Sequence, residues 1–255
     1  ILVAEDNEIN QKVILHQLRL LGRTADIAEN GRKALEKWQS GEYSLLLTDL
    51  NMPVMSGWEL SVAIRAAEHG KSHIPIIALT ANALKGEADR CLKMGMDDYL
   101  SKPVLLVNLK ATLDKWLPPV EEDASIGSEP HQTNTSMPVD VSVLKALVGD
   151  DEEIVRDFLR DFQLSAAGIG RDLRVACDVG KAIIVGNLMH KLKSSARTVG
   201  ALALGELCAE MEAAGKADSN ETLALLLPKF EQEFNAVNIF IDSLLGPHVD
   251  RHDDK

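Results

Sequence analysis

No stretch of this 255-residue chain is apolar over the roughly 18 consecutive residues that a membrane span needs, so no membrane contact of that kind is expected of it. Cysteine is scarce. Cys91, Cys177 and Cys208 are far apart and odd in number, which suits a reducing compartment better than a disulfide framework or a zinc site. Positive charge is also short, with 27 Lys and Arg against 39 Asp and Glu. The formal net charge of -12 argues against a nucleic-acid-binding surface spread over the chain. The first residues do not read as a secretory leader, and an initiator methionine is missing: residue 1 is Ile, already inside the apolar run Ile1-Leu2-Val3-Ala4. The chain reads as a piece of a longer protein. What is present is ordinary globular composition, 45% hydrophobic and 26% charged, at a length that favours two domains.

The division falls at residues 118–138, which hold four of the nine prolines and no Leu, Phe, Trp, Lys or Arg. Such a segment buries too little surface to offset its ordering entropy and reads as a flexible linker. Residues 1–117 are nearly neutral, so the acidity belongs to the linker and to residues 139–255. The expected organisation is a first domain over 1–117, the linker, a second domain over 139–246 and a polar tail over 247–255.

In the first domain, short apolar runs at 1–4, 24–28, 45–48, 74–79 and 98–101 alternate with helical patterns near 7–21, 31–40, 57–68, 85–94 and 104–117. Five such alternations predict an α/β fold, a doubly wound five-stranded parallel sheet with helices on both faces. The second domain shows long amphipathic stretches near 151–176, 181–199, 202–214 and 220–245, a helix-bundle pattern, with Leu144 and Leu147 marking a short helix ahead of it.

Ligands of an open parallel sheet bind beyond the carboxyl ends of its strands. Here those ends carry Glu5, Asp6 and Asn7 after the first strand, Asp49 after the third, Thr80 after the fourth and Lys102 after the fifth. Three converging carboxylates repel unless a cation compensates them, and hard oxygen ligands suit Mg²⁺. A lysine and a hydroxyl beside them make sense if a phosphoryl group joins the site. Any one of these residues alone would read as a helix cap or a surface charge; their joint placement does not.

Ile1-Leu2-Val3-Ala4-Glu5-Asp6-Asn7, Leu47-Thr48-Asp49-Leu50-Asn51-Met52-Pro53, Ala78-Leu79-Thr80-Ala81-Asn82-Ala83 and Asp98-Tyr99-Leu100-Ser101-Lys102-Pro103 together resemble the receiver domains of two-component response regulators. The resemblance covers residues 1–117. It implies a flavodoxin-like fold with Asp49 as phosphoacceptor. It implies Mg²⁺ bound by Asp6, Asp49 and the Asn51 backbone carbonyl, with Glu5 acting largely through water. Lys102 and Thr80 would contact the phosphoryl oxygens, and Thr80 and Tyr99 would report its presence. Glu5 stands where aspartate is more frequent.

In the helix near 181–199 an inward seam of Ala182, Val185, Met189, Leu192, Ala196 and Val199 recurs at intervals of three and four. His190 lies one residue past Met189, about 100° round the helix, on the flank of the seam. Gly186 and Ser194, one turn to either side, are small, which leaves room for a partner at the ring; Lys191, Lys193 and Arg197 make the surroundings basic. His190-Lys191-Leu192-Lys193-Ser194-Ser195-Ala196 followed by Gly200-Ala201 resembles the signature of histidine phosphotransfer (HPt) domains, over roughly 139–245. That resemblance implies an all-α four-helix bundle with His190 phosphorylated at Nε2 and Lys193 helping to hold the phosphoryl group. Ser194 replaces the usual glycine. The other histidines do not compete: His69 and His73 are separated by Gly70, with Pro75 close behind; His248 and His252 lie in the tail, His131 in the linker and His16 on a helix. Gly168-Ile169-Gly170 lacks the strand that a phosphate loop requires.

The whole resembles the C-terminal part of unorthodox hybrid sensor histidine kinases. That implies an upstream kinase core on the same full-length chain, a reversible relay from Asp49 to His190 through receiver–HPt docking, and donation to a downstream response regulator. It implies a cytoplasmic position, the parent being anchored in the bacterial inner membrane. No segment is left to house an ATP-binding domain, so the chain by itself is read as a phosphotransfer module and not as a kinase. A 21-residue flexible linker has an end separation of about 25 Å, which suits alternate docking. Three rival readings compete with it. A freestanding receiver–HPt regulator differs only in what precedes Ile1. An interaction module with vestigial acceptors does not account for the intact set of site residues. A haloacid-dehalogenase-like phosphatase would want an aspartate where Asn51 stands.

Overall fold

A computed structural model of the chain describes residues 1–68, 73–81, 85–118 and 137–246. Most of the expected linker, the tail, His69, His131, His248, His252 and the Asn82-Ala83 pair lie outside the described residues. The chain divides into two compact units, the first carrying a sheet and the second the long helices.

The first unit alternates β1 (Leu2–Ala4), α1 (Glu8–Leu20), β2 (Asp26–Ala28), α2 (Gly31–Trp38), β3 (Leu46–Asp49), α3 (Gly57–Glu68), β4 (Ile76–Thr80), α4 (Lys85–Lys93), β5 (Asp98–Ser101) and α5 (Leu106–Trp116). All strand pairs are parallel, in the order β2-β1-β3-β4-β5. The inner strands β1, β3 and β4 are buried along their whole length, whereas the edges β2 and β5 are buried only in part. That is why the inner strands read as unbroken apolar runs.

Side-chain alternation sends the two strand faces to two cores. Leu2, Ala4, Leu46, Ile76 and Ala78 pack with Ala34, Leu60 and Ile64. Val3, Leu47, Ile77 and Leu79 pack with Ile14, Leu18, Leu109 and Leu113. Helices α2 and α3 therefore cover one face and α1 and α5 the other. The expected strand starts at 24 and 74 run ahead of the hydrogen-bonded ladder by two residues each; Ile74 is nonetheless buried.

Ahead of the bundle lies α6 (Val141–Val148), the short helix expected from Leu144 and Leu147. The second unit contains α7 (Glu152–Asp178), α8 (Ala182–Thr198), α9 (Leu202–Lys216) and α10 (Asn220–Leu245). Asp151 caps α7 by accepting from the Glu153 and Ile154 amides, and Ser219 caps α10. At the α8–α9 corner Gly200 has φ +85°, and a Cβ there would fall 2.0 Å from the Asp140 carbonyl oxygen, so the chain turns where only glycine fits. Every residue of the seam on α8 is buried, from Ala182 to Val199. Among the described residues, no helix is long and apolar enough to cross a membrane.

Candidate functional site

The first unit places a polar cluster where the strand order reverses. β1 and β3 are neighbours, with Ala4 paired to Thr48, so Glu5 and Asp6 leave the sheet beside Asp49. One carboxylate oxygen from each of Glu5, Asp6 and Asp49 lies within 4.8 Å of the others. Lys102 follows β5, two inter-strand spacings from β3, or about 10 Å. Its side chain crosses the end of β4 to put Nζ 2.9 Å from Asp49 Oδ2 and 2.6 Å from Glu5 Oε2. The Lys102 amide donates to the Thr80 carbonyl at 2.7 Å, which ties the two strand ends together. Thr80 is buried, and Tyr99 is exposed on β5. Asn51 donates its amide to Asp49 Oδ1 at 3.4 Å. Gly57 closes the loop: a Cβ there would stand 2.1 Å from the Asp49 carbonyl oxygen.

Both oxygens of the buried Glu5 are engaged. Oε1 accepts from the Asn7 amide at 3.3 Å and from Asn10 Nδ2 at 3.0 Å, while Oε2 holds Lys102. Asn7 itself caps α1, accepting from the Ile9 and Asn10 amides. Burial pushes the Glu5 carboxyl up to about 7; Asp49 adds to the rise and Lys102 and Asn10 oppose it. Burial disfavours the Lys102 ammonium, but the charges of Glu5 and Asp49 outweigh it and hold Lys102 above the ordinary lysine value. Three hard carboxylates against one lysine leave an excess of negative charge, a donor set that fits a divalent cation.

The second unit builds a different centre. His190 on α8 is partly exposed, on the flank of the buried seam as its position relative to Met189 predicts. Its Nδ1 lies 2.9 Å from Oε1 of Glu212 on α9. Glu212 is buried, and its Oε2 accepts from Lys193 and its Oε1 from Lys216, both at 2.5 Å. Burial alone would raise its carboxyl, but the bonds from His190, Lys193 and Lys216 overcome this and hold it well below the usual carboxylate range. An ionised carboxylate can only accept, so His190 Nδ1 carries the hydrogen and, in the neutral ring, Nε2 carries the lone pair.

Two expectations are corrected here. The surroundings of His190 are not simply basic, because Glu212 sits against the ring and engages Lys193. Nor does Gly186 leave room for a partner at the ring: it is buried against Gly215 of α9, and its smallness is used inside the bundle. Glu212 was missed because it is 22 residues from His190 on another helix. One signal was available: Glu212 follows the buried Met211 just as His190 follows Met189, so the two share a place beside their seams. Of the other histidines, His73 is bonded to Asp97 Oδ1 at 2.7 Å.

Residues 1–114 match the response regulator receiver domain family and residues 153–238 the Hpt domain family. Over 117 residues the chain is 51% identical to the hybrid signal transduction protein dokA of Dictyostelium discoideum, covering 46% of this chain and 7% of that protein. It is 32% identical to the virulence sensor protein BvgS of Bordetella pertussis over 98% of this chain and 21% of BvgS. It is also 32% identical to the aerobic respiration control sensor protein ArcB of Escherichia coli K12 over 81% of this chain and 27% of ArcB. The chain thus spans less than a third of the length of these relatives. Among solved structures, the receiver domain of sensor histidine kinase PA1611 from Pseudomonas aeruginosa, described with magnesium coordinated in its active site cleft, is 42% identical over 45% of this chain and 93% of its own, with a TM-score of 0.42. The chain therefore belongs to the proteins of two-component phosphorelay signalling: it is a response regulator receiver domain followed by an Hpt domain, as in the matched parts of hybrid sensor kinases.

Proposed function

We propose that Asp49 accepts a phosphoryl group and passes it reversibly to His190, which donates it to a separate response regulator. The observation that carries this reading is the contrast between the two centres: an aspartate among carboxylates and a lysine in one unit, and an imidazole whose Nδ1 is held by Glu212 in the other.

Asp6, Asp49 and the Asn51 carbonyl would hold Mg²⁺, with Glu5 acting through water because both its oxygens are already engaged. Bound there, the metal neutralises charge on the carboxylates and on incoming phosphoryl oxygens. Lys102 and Thr80 supply a cation and a hydroxyl to the same oxygens, so the carboxylate of Asp49 attacks phosphorus without facing uncompensated negative charge. Thr80 and Tyr99 transmit the change. On His190, Nε2 takes the group and Lys193 helps to hold it. The working boundaries are 1–117 for the receiver, 118–138 for a linker that lets the domains dock, 139–246 for the HPt domain and 247–255 for a tail. The upstream donor is a histidine kinase core of the same full-length, membrane-anchored protein, and this part of it works in the cytoplasm.

Incubation with a small acyl phosphodonor and Mg²⁺, followed by mass measurement, tests this. The expected result is one base-labile phosphoryl group on the receiver that disappears in Asp49→Asn and on chelation of the metal. Persistent acyl phosphate at another position in Asp49→Asn would overturn the assignment.

A further inference from the structure

Glu212 is served by more cations than one carboxylate needs. Lys193, one turn along α8 from His190, holds Oε2, and Lys216, one turn along α9 from Glu212, shares Oε1 with His190 Nδ1. The two lysines differ in setting: the Lys193 side chain is largely buried and that of Lys216 largely exposed. While Lys193 is tied to Glu212, it is not available to a phosphoryl group on His190, the role that the resemblance to HPt domains implies.

We propose that Lys216 is a positioning residue that stands in for Lys193 as the counter-cation of Glu212, so that Lys193 is released to the phosphoryl group when His190 is phosphorylated. This rests on His190 being the acceptor. In the transfer, the Nε2 lone pair forms the N–P bond, the P–O bond to the aspartyl carboxylate breaks, and the electron pair leaves with the Asp49 carboxylate. Nδ1 keeps its hydrogen, so the ring gains a positive charge while the phosphoryl group brings two negative ones. Two new demands then fall on the cluster. The charged ring needs the Glu212 carboxylate at Nδ1, and the phosphoryl oxygens need a cation near Nε2. Lys193 is on the helix of His190 and on the carboxylate oxygen that the ring does not use, so it meets the second demand. A buried carboxylate abandoned by its cation is costly. Lys216 removes that cost by staying on Oε1 and keeps Glu212 ionised beside the ring.

The test uses the whole chain, phosphorylated through Asp49 with acetyl phosphate and Mg²⁺. The rate at which His190 gains the group and the lifetime of the phosphohistidine are measured for wild type, Lys216→Met, Lys216→Arg, Glu212→Gln and Lys216→Met/Glu212→Gln. Lys216→Met should slow gain or shorten lifetime by roughly two- to fivefold, the scale of one largely exposed charge. Lys216→Arg should restore most of it, and Lys216→Met should add nothing in the Glu212→Gln background. Wild-type kinetics in Lys216→Met, or an equal loss with and without Glu212, would overturn the stand-in role. Absence of phosphohistidine in the wild type would instead defeat the reading of His190 on which the proposal rests.

Discussion

Gly215 of α9 lies so close to Gly186 of α8 that a methyl group on it would stand 2.5 Å from the Gly186 Cα and 2.6 Å from the Ala182 carbonyl oxygen. All of these are backbone atoms and cannot swing aside. Glu212 stands three residues before Gly215 and His190 four after Gly186, so this contact sets the distance across which the carboxylate meets the imidazole. Gly215→Ala should therefore destabilise the bundle by about 1–3 kcal/mol or more through overpacking. Gly186→Ala, whose added carbon would meet its nearest neighbours at 3.3 Å, should cost less. Denaturant titration of the two variants checks the order, and His190 phosphorylation should fall with it.

In the acidic cluster, Lys102 holds two of the three carboxylates that come together there. Lys102→Met should leave Mg²⁺ binding intact or tighter, because a competing cation is gone. Phosphorylation of Asp49 by a small donor should slow by roughly tenfold or more, because a charge on the phosphoryl oxygens is lost. The phosphorylation rate would thus fall while metal affinity does not.

Gly57 tests how tightly the acceptor loop is fixed. A Cβ at this position would collide with the Asp49 carbonyl oxygen at 2.1 Å and the Thr48 hydroxyl at 2.9 Å. Gly57→Ala should displace Asp49 and lower both receiver stability and phosphorylation. Gly41→Ala serves as the contrast: it adds a methyl group in open space at φ +77°, so it should carry the backbone strain of that conformation, of order 1 kcal/mol, without touching phosphorylation.

The depressed acidity of Glu212 gives a pH signature. Its carboxyl ionises more readily in the folded bundle than in the unfolded chain, where the ordinary value is 4.5. Its contribution to stability is therefore full above about that pH and is lost as pH falls below it. At neutral pH, Glu212→Gln should be less stable than the wild type by about 1.5–3 kcal/mol, the range for hydrogen bonds to charged groups. The gap should close on acidification below pH 4.5. A gap that widens on acidification would contradict the assignment of the three bonds.

The acidic cluster was legible in the sequence because each of its parts stands at a strand end, and a parallel sheet brings strand ends together without further information. Glu5, Asp6, Asp49, Thr80 and Lys102 needed only the alternation of strands and helices to be placed. His190 was legible in part: the seam on α8 fixes its flank, but nothing local shows what faces that flank. Glu212 belongs to the next helix, and its pairing with His190 depends on how α8 and α9 are set against each other. That setting is made by Gly186 and Gly215, whose meaning appears only when both are seen together. Gly186 taken alone reads as space left for a partner.

The central claim is that the two centres act in sequence. A pulse of acetyl phosphate with Mg²⁺, followed by removal of the donor and resolution of acid-labile from base-labile phosphate over time, tests it most directly. The account predicts that phosphate appears first on Asp49 and then on His190, that Asp49→Asn labels neither, and that His190→Gln retains the acyl phosphate. Label that stays on Asp49 and never reaches His190, within one molecule or between two, would contradict it.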